Sequence, residues 1–500
     1  MTELALYHPQ MHDLTRGALG ELQRLSADLT ARQGSIKRRM DYFRGRHQLC
    51  FASPEFSEYF GERFQGWSDN WCKPVVEAPA ERINPLGVRL AGQTSADTDL
   101  ARVWRENGAD RGASEAVTVT LAAGRAYSMV WGDPEDDDED TPLITWERPD
   151  QAIVGYDAET RRPRSGLKLW RDENYEYASL YTRRYLWKWK RSAARVVPYG
   201  DHPDPAVQAG GGWEMRQGPN DHTWPIPNPM GRVPLVEWRN QSLLDDTPLS
   251  DIDGVMAMQD GINLIWAYLL NALDFASLPT RVVTGADTPK IPILDANGRV
   301  VGDRPVDLNE LRRERILWIP KEANVEEWTA ANLEVFSNVI ERAIEHISAQ
   351  TRTPPHYLVG KVSNLSAEAF TAAETGLVSK AGERIIYLDP AARGTYELIA
   401  LAQGNSAKAR AVRGGKVMWG DPQYRSMAQK VDALMKLKGM GFPLEWIAEQ
   451  YGLEPDEVAR VMLMRQQEAA LDPLSAIADE LGRGPAPGAL PASGSADPMV

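Results

Sequence analysis

The sequence predicts an α+β fold whose two halves differ in character. Three observations carry that expectation. Short runs of alternating bulky and polar residues, spaced for hairpins, concentrate between about residues 75 and 238. Long helical periodicities dominate afterwards, with one small strand-bearing excursion. Pro/Gly-rich and charged stretches separate the segments. With 500 residues, 43% hydrophobic and 25% charged, the chain can bury a sizeable core and form two or three structural regions.

Leu14, Leu19, Leu22, Leu25 and Leu29 recur at helical spacing, which predicts a helix to about Arg38. A loop-rich aromatic stretch follows. Residues 117–122, 127–131, 166–170 and 177–189 are expected as strands, paired antiparallel. In the last of these, Tyr185, Trp187 and Trp189 alternate with Lys188 and Lys190. That pattern places the tryptophans in a core or interface rather than on a base-stacking platform. The acidic run at residues 133–140 lacks the spacing of a calcium loop and reads as a solvated loop, as does the Pro/Gly-rich stretch 199–234.

In the second half, Ser250 is expected to cap a helix reaching about residue 276, with Asp251 and Asp253 at its positive end. Pro279 stops it. Strand-like segments 291–294 and 316–319 flank an Asn-Gly turn at Asn297 and a charged helix near 309–315. Leu333, Phe336, Ile340, Ile344 and Ile347 predict an amphipathic helix over 331–352, which Thr353-Pro354-Pro355 breaks. A polar loop follows, and Ser366 is expected to cap a further helix running past Leu388. Helices recur from about 423 to 464, and the small, Pro/Gly-rich end from 483 is expected to be disordered.

Several function classes find no footing. No GxxxxGK[ST] phosphate loop, GxSxG elbow or HExxH motif occurs, and His47, His346 and His356 stand isolated. No catalytic residue, cofactor or metal is therefore expected, and an α/β enzyme lacks the converging carboxylates or His pair it needs. Cys50 and Cys72 are too few for a disulfide framework. The most apolar stretch, 261–278, contains Asn263, Asn271 and Asp274, so it reads as a buried helix, not a membrane span. The N-terminus has no basic-then-apolar leader. A net charge of −14 argues against a general nucleic-acid binder, because phosphate binders are usually basic.

Five blocks in order, spanning residues 41–388, point further. They are YFRGRHQLCFASPEF with GWSDNWCKPVVEAPAERI; WRENGADRGAS with AAGRAYSMVW; VPLVEWRNQ with SDIDGVMAMQDGINLIWA; TRTPPHYLVG; and NLSAEAFTAAETGLVSKAGER. Together they resemble the portal proteins of siphovirus-like tailed phages, especially those infecting actinobacteria. The chain departs from that pattern in its long acidic run and in Ala109, where a bulkier apolar residue is expected.

The resemblance implies a portal fold and a closed ring of about twelve copies. Residues 1–40 would be an N-terminal helical segment, 41–249 an α/β wing, and 250–284 and 329–352 two stem helices. Residues 285–328 would form a small α/β clip, 353–365 a tunnel loop, 366–412 a wing helix, 413–482 a helical crown and 483–500 a disordered tail. The implied role is a conduit for double-stranded DNA at one capsid vertex, used in genome packaging and ejection. The implied partners are further copies of itself, the major capsid protein, the terminase large subunit and then the head–tail connector, with no membrane. Assembly would occur in the host cytoplasm, and the final location is the virion. A minor capsid or connector protein is the alternative reading.

Within that frame, Lys361, Val362, Ser363 and Asn364 are expected to face DNA without reading its sequence. Without the resemblance, the same residues would be an ordinary helix connection. Arg312, Arg313 and Arg315 in the clip are expected either to pair with acidic groups on a partner or to form a solvated helix face. Lys408, Arg410, Arg413 and Lys416 are expected in a solvated loop, with DNA contact as the lesser alternative. Twelve copies at −14 each would carry roughly −170 charges, and the lumen is expected to be mostly acidic so that DNA can slide.

Overall fold

The computed structural model describes residues 9–471 except 47–48, 51–52, 55–56, 59–67, 133–139, 193–211, 218–222, 245–246, 278–280, 285–289, 295–298, 306–315, 320–332, 360–366 and 424–426. In chain order, α1 (Pro9–Phe43), α2 (Cys72–Ala80), β1 (Pro85–Arg89), α3 (Thr98–Glu106) and α4 (Ala109–Ala123) lead into β2 (Arg125–Trp131) and β3 (Leu143–Glu147). Next come β4 (Ala152–Tyr156), β5 (Pro163–Arg171), β6 (Tyr175–Thr182), β7 (Tyr185–Ser192), β8 (Glu214–Met215), β9 (Ile226–Pro227) and β10 (Leu235–Arg239). Helix α5 (Met256–Ser277) precedes the short strands β11 (Arg281–Thr284), β12 (Lys290–Leu294), β13 (Val300–Pro305) and β14 (Ile316–Ile319). Then follow α6 (Glu334–Thr351), α7 (Pro355–Val359), α8 (Ala367–Ala402), α9 (Ser406–Arg413), β15 (Lys416–Trp419), α10 (Met427–Gly439), α11 (Leu444–Tyr451) and α12 (Pro455–Leu471).

The leucine stripe of α1 explains its placement. Leu22, Leu25 and Leu29 pack on Ile153, Leu167, Leu180, Trp187 and Trp189, which line one face of the sheet β4-β5-β6-β7-β8. This is the burial expected for the two tryptophans. The segment expected as one strand over 177–189 is two, β6 and β7, separated at Arg183-Arg184 and paired antiparallel. A second antiparallel sheet, β10-β2-β3, contains a buried charge network. Glu237 accepts hydrogen bonds from Arg125 at 2.8 Å, Tyr156 at 2.8 Å, Arg239 at 2.8 Å and Tyr127 at 3.1 Å. Burial alone would raise its carboxyl, but the two guanidiniums hold it below the usual range.

The largest core joins both halves. Ile340, Ile344 and Ile347 of α6 meet Ile252 and Val255 in the turn before α5, Ile262 of α5, Leu388 of α8, Trp238 of β10 and Val75 and Val76 of α2. Cys72 is buried there, unpaired, and burial pushes its thiol up to about 12.

Three local expectations need correction. Residues 117–122 are helical, within α4. Val117, Val119 and Leu121 alternate like a strand, but Ala109, Ala113, Ala116, Val117 and Thr120 fall at helical spacing and are all buried. Left-handed Gly108 and Gly124 bound the helix, at φ values of 57° and 93°. Ser250 does not cap α5, which begins at Met256. Its hydroxyl instead donates to the Ala122 carbonyl, while Asp251 and Asp253 serve distant cations. Finally, residues 406–413 form α9 and 416–419 form β15, which pairs antiparallel with β1 across most of the chain's length.

Candidate functional site

The chain reverses between α6 and α8, and the reversal is built from side chains. Arg352 closes α6 in the left-handed conformation, at φ 55°. Ser348 Oγ donates to the Thr353 carbonyl at 2.6 Å, and Thr351 Oγ1 donates to Thr353 Oγ1 at 3.0 Å. The Ser348 carbonyl at the helix end accepts from the Arg352 and Thr353 N–H groups, so it is not left unpaired. Pro355 then opens α7 at the first helical position, where a missing N–H costs nothing. Residues 360–366 follow, and α8 begins at Ala367.

One buried cation holds both sides of this reversal. Arg82, just past α2, donates from Nη2 to the Tyr357 hydroxyl at 2.7 Å and forms an ion pair with Glu374. Its Nη1 donates to the Pro422 carbonyl at 3.0 Å. His356 Nε2 lies 2.9 Å from the other Glu374 carboxylate oxygen. The Arg82 side chain is 1% exposed and that of Glu374 10%. Burial opposes the guanidinium charge, but Tyr357 and Glu374 offset it, so Arg82 is held even more firmly protonated than usual.

A second joint lies along α8. Asp251, in the turn before α5, is 2.9 Å from Lys380 Nζ and 3.1 Å from Arg384 Nη2, and accepts from Asn240 Nδ2 at 2.8 Å. Arg352 reaches Glu383 at 3.5 Å. The turn before α5 and the C-terminal end of α6 are therefore tied by charge to the middle of α8.

The residues singled out from sequence fall unevenly. Lys361, Val362, Ser363 and Asn364 lie outside the described residues, as do Arg312, Arg313 and Arg315 and the acidic run 133–139. The basic stretch expected as a loop is dispersed by the fold. Lys408 pairs with Asp97 at 2.9 Å and Asp99 at 2.7 Å, Arg413 reaches Glu397 at 3.0 Å, and Lys416 opens β15. His356, expected to stand alone, is bound to Glu374. Sequence reading missed Arg82 and Glu374, which lie 292 positions apart; only the Pro-Pro break hinted that the reversal between them is structured.

These buried charges tie distant segments of the chain together. Among the described residues no group of His, Cys, Asp and Glu gathers as metal ligands do. A cleft of about 680 Å³ between α1 and the turns at 157–164 and 182–185 mixes Arg162, Arg164, Arg183 and Arg184 with Asp13 and Glu21, and Ser165 Oγ donates to Glu21 Oε1 there at 2.5 Å. Among the described residues no helix is long and apolar enough to cross a membrane.

Comparison with known proteins gives a concordant result. Residues 22–470 match the family described as phage portal protein, SPP1 Gp6-like. Proteins named portal protein in Mycobacterium phage D29 and Mycobacterium phage L5 are 26% and 25% identical over 414 residues, covering 79% of this chain and 78% of each relative. Solved chains from the necks of native and empty GTA particles align over 81% of this chain and 95% and 94% of theirs, at 14% and 13% identity and TM-scores of 0.37 and 0.39.

Proposed function

The chain belongs to the SPP1 Gp6-like family of phage portal proteins and is a virion structural component, and we propose from that premise that its copies close into a ring of about twelve at one capsid vertex. It conducts double-stranded DNA during packaging and ejection. The observation that carries the reading is the family match across residues 22–470, the span that holds the two charge joints around α5, α6 and α8.

In this reading α5 and α6 are the stem, residues 285–328 between them, with strands β12–β14, are the clip, and residues 353–365 form the tunnel loop. Lys361, Val362, Ser363 and Asn364 face DNA and give a ring of weak, sequence-independent contacts. Arg312, Arg313 and Arg315 meet acidic groups on the terminase or the connector that replaces it. The α/β half is the wing and contacts the major capsid protein, and α10–α12 lie in the crown. The acid excess of the chain favours a lumen in which DNA slides rather than sticks.

Ring closure has a physical motive. Val335 and Val339, one turn apart on α6, are 53% and 45% exposed in the single chain, and Tyr268 and Leu273 of α5 are 42% and 41% exposed. A neighbouring copy would cover them. The deciding measurement is the mass and symmetry of the purified particle, by native mass spectrometry and negative-stain class averages. A ring of about twelve with a central hole is expected. A stable dimer with one deep pocket would overturn the reading.

A further inference from the structure

We propose that the cleft between α1 and two hairpin tips of the large sheet is a docking site for an acidic segment of a partner protein, which sets carboxylates on the arginine rim and an apolar side chain on the floor. The inference is argued from the cleft alone and is independent of the ring reading.

The floor is an apolar helix stripe that outruns the sheet beneath it. Leu22, Leu25 and Leu29 of α1 are covered, at 0%, 0% and 1% exposed. Leu14 and Ala18 continue that stripe toward the start of the helix at the same spacing, and both line the cleft. Leu14 is 46% exposed there. Gly17 beside it is exposed, and a Cβ at that position would meet nothing within 4 Å. Leu180 and Trp187 close the floor from the sheet side.

The rim is cationic. The β4–β5 and β6–β7 turns lie side by side at one end of the sheet, because Ser165 pairs with Thr182 across β5 and β6. Arg183 Nη2 donates to the Pro163 carbonyl at 3.5 Å and links the two tips. Together the turns bring Arg162, Arg164, Arg183 and Arg184 to one cleft. Arg162 and Arg184 form no ion pair and no side-chain hydrogen bond among the described residues. Arg164 approaches Glu21 only at 3.9 Å, with its side chain 65% exposed.

Two nearby carboxylates are already engaged. Glu21 Oε1 accepts from Arg24 at 2.8 Å and from Ser165 at 2.5 Å. Asp157 Oδ1 accepts from the Thr160 N–H and hydroxyl, both at 2.8 Å, and so shapes its own turn. The rim therefore keeps guanidinium donors open, in the planar fork that a carboxylate takes bidentately.

The combination selects the partner. A volume of about 680 Å³ suits a few side chains of an inserted segment. Duplex DNA is convex and uniformly anionic. It offers nothing to the apolar floor, and Asp13 and Glu159 in the same cleft would repel its phosphates. A segment with carboxylates flanking an apolar residue satisfies both floor and rim, the mode in which arginine clusters read acidic motifs.

The test is fluorescence anisotropy with the full chain and a short labelled peptide of alternating glutamate and leucine. A lysine–leucine peptide and a duplex oligonucleotide are the comparison probes. The acidic peptide should bind saturably and more weakly as salt rises, and the lysine peptide should not bind. Arg162→Glu with Arg184→Glu should weaken binding about tenfold or more, and neither side chain holds the fold. Gly17→Leu fills the floor with a better helix former and should weaken binding as much. Absent binding by the parent, or binding unchanged in either variant, overturns the proposal. Equal binding of the lysine peptide would remove the arginine rim from recognition and overturn it too. If the duplex binds instead, and loses affinity on arginine reversal but not in Gly17→Leu, the rim is a phosphate contact and the acidic-segment assignment falls.

Discussion

Asp251 and Lys380 form a buried ion pair, 2.9 Å between carboxylate and ammonium, that fastens the turn leading into α5 to the middle of α8. Arg384 approaches the same carboxylate at 3.1 Å, so one anion serves two cations. Asp251→Asn keeps the shape and removes the charge, leaving Lys380 and Arg384 buried without their counter-ion. Such truncation of a buried pair costs about 3–5 kcal/mol. Urea denaturation followed by far-UV circular dichroism should show the midpoint falling accordingly. An unchanged midpoint would mean that water already compensates the pair.

The same carboxylate makes stability pH-dependent. Burial would raise the Asp251 carboxyl, but Lys380 and Arg384 more than offset it and hold it below the usual range. Glu237 is lowered in the same way between Arg125 and Arg239. A group with a depressed native pKa contributes stability above its unfolded value, and loses it as pH falls through the native value. Stability from these two groups should therefore be flat from pH 7 to about 5 and fall below about 4. Asp251→Asn should decline less steeply in that acid range. Denaturation midpoints measured at stepped pH check both statements, and parallel acid limbs for the two proteins would remove Asp251 from the account.

Gly112 lies in α4 directly under Trp146, and a Cβ there would come within 2.0 Å of the indole nitrogen. Trp146 packs edge-on to Trp104 at 6.0 Å and tilted against Trp238 at 5.4 Å. Gly112→Ala must therefore displace an indole shared by two others. Overpacking of this sort costs about 1–3 kcal/mol. A lowered denaturation midpoint with a changed near-UV spectrum is expected, and a native-like spectrum would show that α4 shifts instead.

How much of this was legible in the sequence depended on the range of the interaction. The leucine stripe of α1, the tryptophans of β7 and the isoleucine stripe of α6 were readable because their periodicity is local. Residues 117–122 were misread because Val-Thr-Val-Thr-Leu alternates over five positions, while the alanines that settle the helix lie outside that window. Ser250 looked like a cap because its acidic neighbours suit a first turn, yet those carboxylates are drawn to Arg39, Lys380 and Arg384. Lys408 looked solvated because its partners, Asp97 and Asp99, are some 300 positions away. The clamp made by Arg82, Tyr357 and Glu374 was invisible for the same reason.

The exposed face of α6 offers the sharpest test of assembly. Val335 and Val339 sit in the first turns of the helix, beside Glu334. Carboxylates are well tolerated there in an isolated chain, because they face solvent at the positive end of the helix dipole. Val335→Glu with Val339→Glu should thus leave monomer stability within about 0.5 kcal/mol of the parent. In a ring the same carboxylates would be pressed against a neighbour and lose their hydration, at about 1–3 kcal/mol or more for each unpaired polar group. Cyclic symmetry repeats that penalty at every contact, so a modest local cost becomes a large one for closure. Native mass spectrometry should find the double variant as a folded monomer under conditions where the parent forms rings. Rings of unchanged mass would place the subunit interface elsewhere and leave those two valines without a covering partner.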